Sequence, residues 1–272
     1  MAIKSSFVDV AERGTVNVFL LAGQSNMAGA DAVIVDPPGF QPTAADRATR
    51  FTAAPLPAGN QSPLYLPWGE LRGQSLKNEL VHGPEIGFAR VLHGAGWRNV
   101  CIIKVYANFN RDVVAWPWSN GGLFFDPWMR FIDGRIAEVQ SQVWLVRVCG
   151  VLWHQGIDDA IHGSLAYQYS ANLRDLIVQL RQRWATSTMP FVLARSVNSS
   201  IARAITGAGE NSPMAAVRRA QVNVGRSVPY AAWIDVDDFP NVNSHHFCVA
   251  SQLSIGVRFG LTFLKLHGDY DH

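Results

Sequence analysis

The chain has 272 residues, of which 48% are hydrophobic and 16% charged, and its formal net charge is +2. This is enough apolar material for one large core and too much for a disordered chain, and its Lys and Arg are too scattered for a nucleic-acid surface. No apolar run approaches the ~20 residues of a membrane span, and the N-terminal stretch lacks the features of a secretory signal, so no membrane partner is expected and the compartment stays open.

Taken in chain order, "VNVFLLAG" at 16–23 predicts the first buried strand. The stretch 31–80, rich in Pro, Gly, Ala, Gln and Asn, reads as a long loop excursion over one end of the sheet. "GPEIGFARVLHGAG" at 83–96 has Pro near its start and Gly at its end, the asymmetry of a helix. "NVCIIKVYA" at 99–107 is a second strand, and the aromatic "AWPWSNGGLFFDPW" at 115–128 a second loop. Further strands are expected at 143–153, 190–195 and 230–236, and helices at 164–184, 212–226 and 248–266. The strands are continuously hydrophobic, as in a parallel sheet covered on both faces. Alternation with helices implies right-handed βαβ units. The expected fold class is therefore α/β, a three-layer α/β/α sandwich around a central parallel sheet, as one domain over 1–272. Cys101, Cys149 and Cys248 have no spacing that suggests a disulfide framework or a metal site, and they read as buried thiols.

Three short stretches can carry chemistry. Ser25 in "LLAGQSNMAG" ends a strand and precedes a helix, where the first amides can stabilise an oxyanion. A capping serine has the same local pattern. "WHQGIDDA" at 153–160 places His154, Gln155 and Gly156 at the same end of the sheet. "NSHHFCVASQ" at 243–252 follows the last strand, so His245 and His246 stand where a base can reach back to Ser25. Either histidine can instead pack locally.

Together these blocks resemble the sialate O-acetylesterase-like carbohydrate esterases, a branch of the SGNH hydrolase superfamily. "FLLAGQSNMAG" resembles the nucleophile block, "GPEIGFAR" a Gly-Pro-Glu helix start, "GVLWHQGIDDA" the Trp-His-Gln-Gly block, and "HFCVASQLSIGVRFG" the His-Phe start of the last helix. The resemblance spans roughly residues 16–262. It implies a flavodoxin-like α/β/α esterase that removes acetyl groups from a carbohydrate, with no cofactor and no metal. Ser25 becomes the nucleophile and His246 its base. The Ser25 amide joins an oxyanion hole, with Gln24, Asn108 and Gln155 as oxyanion or substrate contacts.

The departures fall on functional slots. Asn243 stands where the family carries an Asp, so the expected catalytic set is Ser25, His246 and Asn243, and Ile157 replaces a Glu. Asn108-Phe109 occupies a usual Gly-Gly pair, where Asn108 can donate in place of a backbone N–H. Asp158, Asp159, Asp237 and Asp238 are candidate substitute acids. Trp116, Trp118, Phe124, Phe125 and Trp128 offer rings for sugar stacking, and Arg111 and Asp112 offer polar contacts. The alternative to an esterase is a non-catalytic glycan-binding protein on the same fold.

Overall fold

The computed structural model describes residues 15–34, 43–56, 66–71, 74–76, 79–107, 125–142, 145–161 and 163–268. The chain begins with β1 (Thr15–Gly23), α1 (Ser25–Ala28), α2 (Ala44–Ala48), β2 (Arg50–Leu56) and β3 (Leu66–Glu70). A small ribbon, β4 (Gln74–Leu76) and β5 (Glu79–Val81), leads to α3 (Glu85–Gly94) and β6 (Val100–Ala107). Then come α4 (Phe125–Gln140), β7 (Leu145–His154), α5 (Ile157–Ile161), α6 (Tyr169–Arg183) and β8 (Phe191–Ala194). The last described elements are α7 (Ser200–Thr206), α8 (Pro213–Ser227), β9 (Ala231–Ile234) and α9 (Val249–His267).

Seven strands form one sheet in the order β3-β2-β6-β1-β7-β8-β9. Every pairing in it is parallel except β2 with β3. Side chains alternate across β1. Phe19 points to one face, where it meets Phe88 of α3 and Phe263 of α9 edge-on at 5.2 Å. On β7, Trp153 points to the other face, against Trp128 of α4 and the Tyr169 hydroxyl of α6. Helices thus cover both faces, as the continuous apolar runs require.

The chain first builds leftward from β1 to β2, and later crosses from β6 over to β7. The carboxyl end of β1 is therefore a topological switch point, where an open α/β sheet leaves a crevice.

Two elements differ from expectation. The 31–80 stretch is not only an excursion, because it contributes β2 and β3 to the main sheet. Phe51, Ala53 and Ala54 of β2 are buried beside β6. The aromatic stretch ends inside α4, whose Trp128 is only 3% exposed. Trp128 is a core residue and offers no face to a sugar. Trp116, Trp118 and Phe124 lie outside the described residues, as do Arg111 and Asp112. Cys101 and Cys149 are buried, whereas Cys248 is half-buried at the start of α9.

Candidate active site

β1 delivers Gly23, Gln24 and Ser25 at its carboxyl end. Gln24 takes the cap position of α1, so Ser25 is its first helical residue and not its cap. The N–H groups of the first turn have no acceptor within a helix. Ser25 is 1% exposed. Its carbonyl accepts from the N–H groups of Gly29 at 2.8 Å and Ala30 at 2.9 Å. This closes the helix through Gly29, whose φ is +86°, and a Cβ there would lie 2.2 Å from the His82 carbonyl oxygen. The next turn residue, Asp31, also has a positive φ of 63°, a conformation Asp tolerates better than most residues.

The floor beneath α1 is ionic. Lys104 of β6 and Glu85 of α3 pair at 2.8 Å with both side chains fully buried. Glu85 accepts from the Gly83 N–H at 3.0 Å, and Lys104 reaches the Ala28 carbonyl at 3.4 Å. Burial pulls the Lys104 ammonium below its usual range, and the Glu85 charge opposes that pull.

The loop after β7 is fixed by its backbone. The Gln155 carbonyl accepts from the Tyr169 hydroxyl at 2.8 Å, the Gln221 amide at 2.8 Å and the Ser196 hydroxyl at 3.2 Å. Gln24 uses its side-chain carbonyl to accept from the Gly156 and Ile157 N–H groups at 2.7 and 3.2 Å. It thereby caps α5 and ties β1 to β7, so that oxygen is not presented to a substrate. The Gln155 side-chain amide donates to Asp159. Ile157 is packed at 5% exposure. His154 is buried, with both ring nitrogens unpartnered, between Phe247 and Phe259. Burial pushes it down to about 3, so it is a neutral core residue and not a base.

The third block comes to the same place. The Asn26 amide donates to the His245 carbonyl at 2.8 Å, and the Gln252 amide of α9 donates to the Asn26 carbonyl at 2.9 Å. The residue after Ser25 is thus latched to the residue before His246. Asn243 uses its side-chain oxygen to accept from the N–H groups of His245 at 3.0 Å and His246 at 2.9 Å. Its amide nitrogen faces Asp31 Oδ2 at 2.7 Å and His246 Nδ1 at 3.3 Å. His246 Nδ1 lies 2.6 Å from the same Asp31 oxygen. His245 instead meets the Ser244 hydroxyl through its own Nδ1, at 2.6 Å. Burial first, then the neighbouring His246, push His245 down to about 4 against the opposing charge of Asp31.

The expected residues Ser25, Gln24, Gln155, Asn243 and His246 therefore converge at the switch point, while Asn108 lies outside the described residues. The candidate substitute acids do not meet His246. Asp159 serves Gln155, Asp237 pairs with Arg195 and Arg218, Asp238 pairs with Arg258, and Asp158 sits on α5. The carboxylate at His246 is Asp31, which sequence reasoning missed. Its only sequence signal is an acid among small residues just after the nucleophile block. Among the described residues, no group of three or more His, Cys, Asp or Glu is placed to hold a metal, and no helix is long and apolar enough to cross a membrane.

A serine at a helix start and a histidine beside a carboxylate thus stand near the crevice of a doubly wound α/β sheet. A family profile described as carbohydrate esterase, sialic acid-specific acetylesterase, matches residues 15–265, and the chain belongs to that family of carboxylic ester hydrolases. Three solved structures share the fold. A protein from Arabidopsis thaliana superposes with a TM-score of 0.64 at 20% identity, covering 92% of this chain and 98% of its own. A carbohydrate acetylesterase from Xanthomonas citri gives 0.60 at 19% identity, with 92% of this chain and 56% of that one covered. NanS gives 0.61 at 13% identity, with 94% and 98% covered. A comparison with curated proteins gives no match.

Proposed function

We propose that this chain hydrolyses O-acetyl esters on a carbohydrate through an acyl-enzyme on Ser25. His246 Nε2 takes the Ser25 proton as Oγ attacks the acetyl carbonyl. The resulting oxyanion is met by the N–H of Ser25, with a second donor from Gln155 or Asn108. His246 then returns the proton to the departing sugar hydroxyl. A water activated by the same imidazole releases acetate and regenerates Ser25. The substrate class follows from the family, an acetylated carbohydrate, and the reaction calls for no cofactor.

The observation that carries the reading is the latch between the two chemical blocks. Asn26, next to Ser25, holds the carbonyl of His245, next to His246, across 219 positions of sequence. Gln252 holds the other side of Asn26, so nucleophile and base are fixed to one frame.

The test is acetate release from p-nitrophenyl acetate and from an acetylated xylan or sialic acid, with Ser25→Ala as the control. The expected result is wild-type turnover that falls to background in the variant. Equal rates in both proteins reject the esterase and leave a glycan-binding protein, tested by binding to the same sugars.

A further inference from the structure

We infer that Asp31 is the positioning acid of this site, carried on the nucleophile's own turn in place of the carboxylate missing at 243. The inference rests on the Ser25-His246 reading and adds a residue to it.

The chemistry at 243 makes a substitute necessary. The side-chain oxygen of Asn243 is spent on the N–H groups of His245 and His246. What Asn243 offers the imidazole is its amide nitrogen, a donor, 3.3 Å from Nδ1. A donor there favours the tautomer whose proton sits on Nε2, and that tautomer cannot take a proton from serine. Asp31 Oδ2 reverses the preference. A charged acceptor 2.6 Å from Nδ1 outweighs a neutral contact at 3.3 Å, so Nδ1–H donates to Asp31 and Nε2 keeps its lone pair. When Nε2 takes the serine proton, the same carboxylate faces the imidazolium.

Asn243 then has a different job from the residue usually in its slot. Its amide donates to Asp31 Oδ2 at 2.7 Å and holds the carboxylate on Nδ1. The other end of Asp31 is equally constrained. The Gly29 and Ala30 N–H groups converge on the Ser25 carbonyl, and the Ala32 N–H bonds the Gly29 carbonyl. Ser25 and Asp31 therefore share one closed turn, and His246 and Asn243 come to it together from elsewhere in the chain. The Asp31 side chain is 43% exposed and that of His246 15%, so the acid stands on the solvent side of the base.

Asp31→Asn is the informative change, because Asn also tolerates the positive φ and keeps an acceptor for Asn243. With p-nitrophenyl acetate, kcat is expected to fall by about 10²- to 10⁴-fold, the upper figure being that of the corresponding Asp→Asn change in a serine protease. KM is expected to stay within about twofold, as for a group that acts in the transition state. In Asp31→Asn/Asn243→Asp the carboxylate moves to the other side of Nδ1, and at least tenfold of the loss should return. Proton NMR gives a readout independent of turnover. The far-downfield Nδ1–H resonance expected in wild type should vanish in Asp31→Asn and in His246→Gln.

Wild-type kcat in Asp31→Asn overturns the role of Asp31 while leaving Ser25 as nucleophile. A double variant as slow as the single one, with both folded, also overturns it, since a purely structural aspartate would behave so. Wild-type turnover no faster than Ser25→Ala, together with no downfield proton, overturns both readings.

Discussion

Asp159 is 2% exposed, and burial pushes its carboxyl up to about 7, with the Gln155 amide opposing the shift and Asp158 adding to it. An unfolded Asp titrates near 4. Between those values the native state holds a proton that the unfolded state has released. The contribution of Asp159 is thus fully favourable below about pH 4 and is lost as the pH rises to about 7. About three units at 1.36 kcal/mol each make a loss of roughly 4 kcal/mol, an upper figure for a buried carboxyl. Wild type hides this slope, because His154 carries the opposite one. Its folded value of about 3 lies below the usual His value, so its contribution is present above about pH 6.5 and is lost on acidification. Asp159→Asn keeps an acceptor for Gln155 and removes the titration. Thermal melts of both proteins from pH 4 to 8 should show the variant gaining on wild type by roughly 1.4 kcal/mol per pH unit up to about pH 7, then levelling. At ~2 °C per kcal/mol for a chain of this size, the total reaches on the order of 8 °C. A melting difference that is the same at pH 4.5 and 7.5 refutes the assignment of a neutral, buried Asp159.

Two further substitutions probe the frame around Ser25. Lys104→Met leaves Glu85 in the core without its ion-pair partner, and urea unfolding should show a loss of about 3–5 kcal/mol, much of it recovered in Lys104→Met/Glu85→Gln. A loss under ~1 kcal/mol contradicts the burial of that pair. Gly23→Ala places a Cβ 2.2 Å from the His154 carbonyl oxygen, so β1 and β7 must part just before the nucleophile. A stability loss of at least about 1–3 kcal/mol is expected, with acetate release falling further than stability alone explains. Unchanged melting and turnover refute the close approach.

The layered fold is legible because its strands are largely buried apolar runs. β1, β6, β7, β8 and β9 all coincide, to within two residues, with the hydrophobic runs of the sequence. β2 is not legible. "RFTAAPL" is short, holds Pro55 and has only small or single large apolar residues, so its identity comes from pairing with β6 and β3. The Pro and Trp residues that mark a loop around 115–128 likewise conceal the start of α4. The positions of Ser25 and His246 follow from the sequence because one follows a strand and the other shortly precedes a helix. Asp31 is readable from neither, because its meaning lies in one contact that spans 215 positions.

Asn243 and Asp31 make sense only together. An Asp at 243 beside Asp31 would set two carboxylates against one imidazole nitrogen, and one of them would be driven to hold a proton. With Asn at 243, the second partner of Nδ1 becomes an amide whose N–H groups suit the Asp31 carboxylate, and the pair carries one charge rather than two. Asn243 without Asp31 would press a donor against Nδ1 and fix the unproductive tautomer. The observed distances of 2.6, 2.7 and 3.3 Å describe the single arrangement in which each of the three groups finds a suitable partner. Asn243 and Asp31 are on this account two halves of one arrangement around Nδ1 of His246.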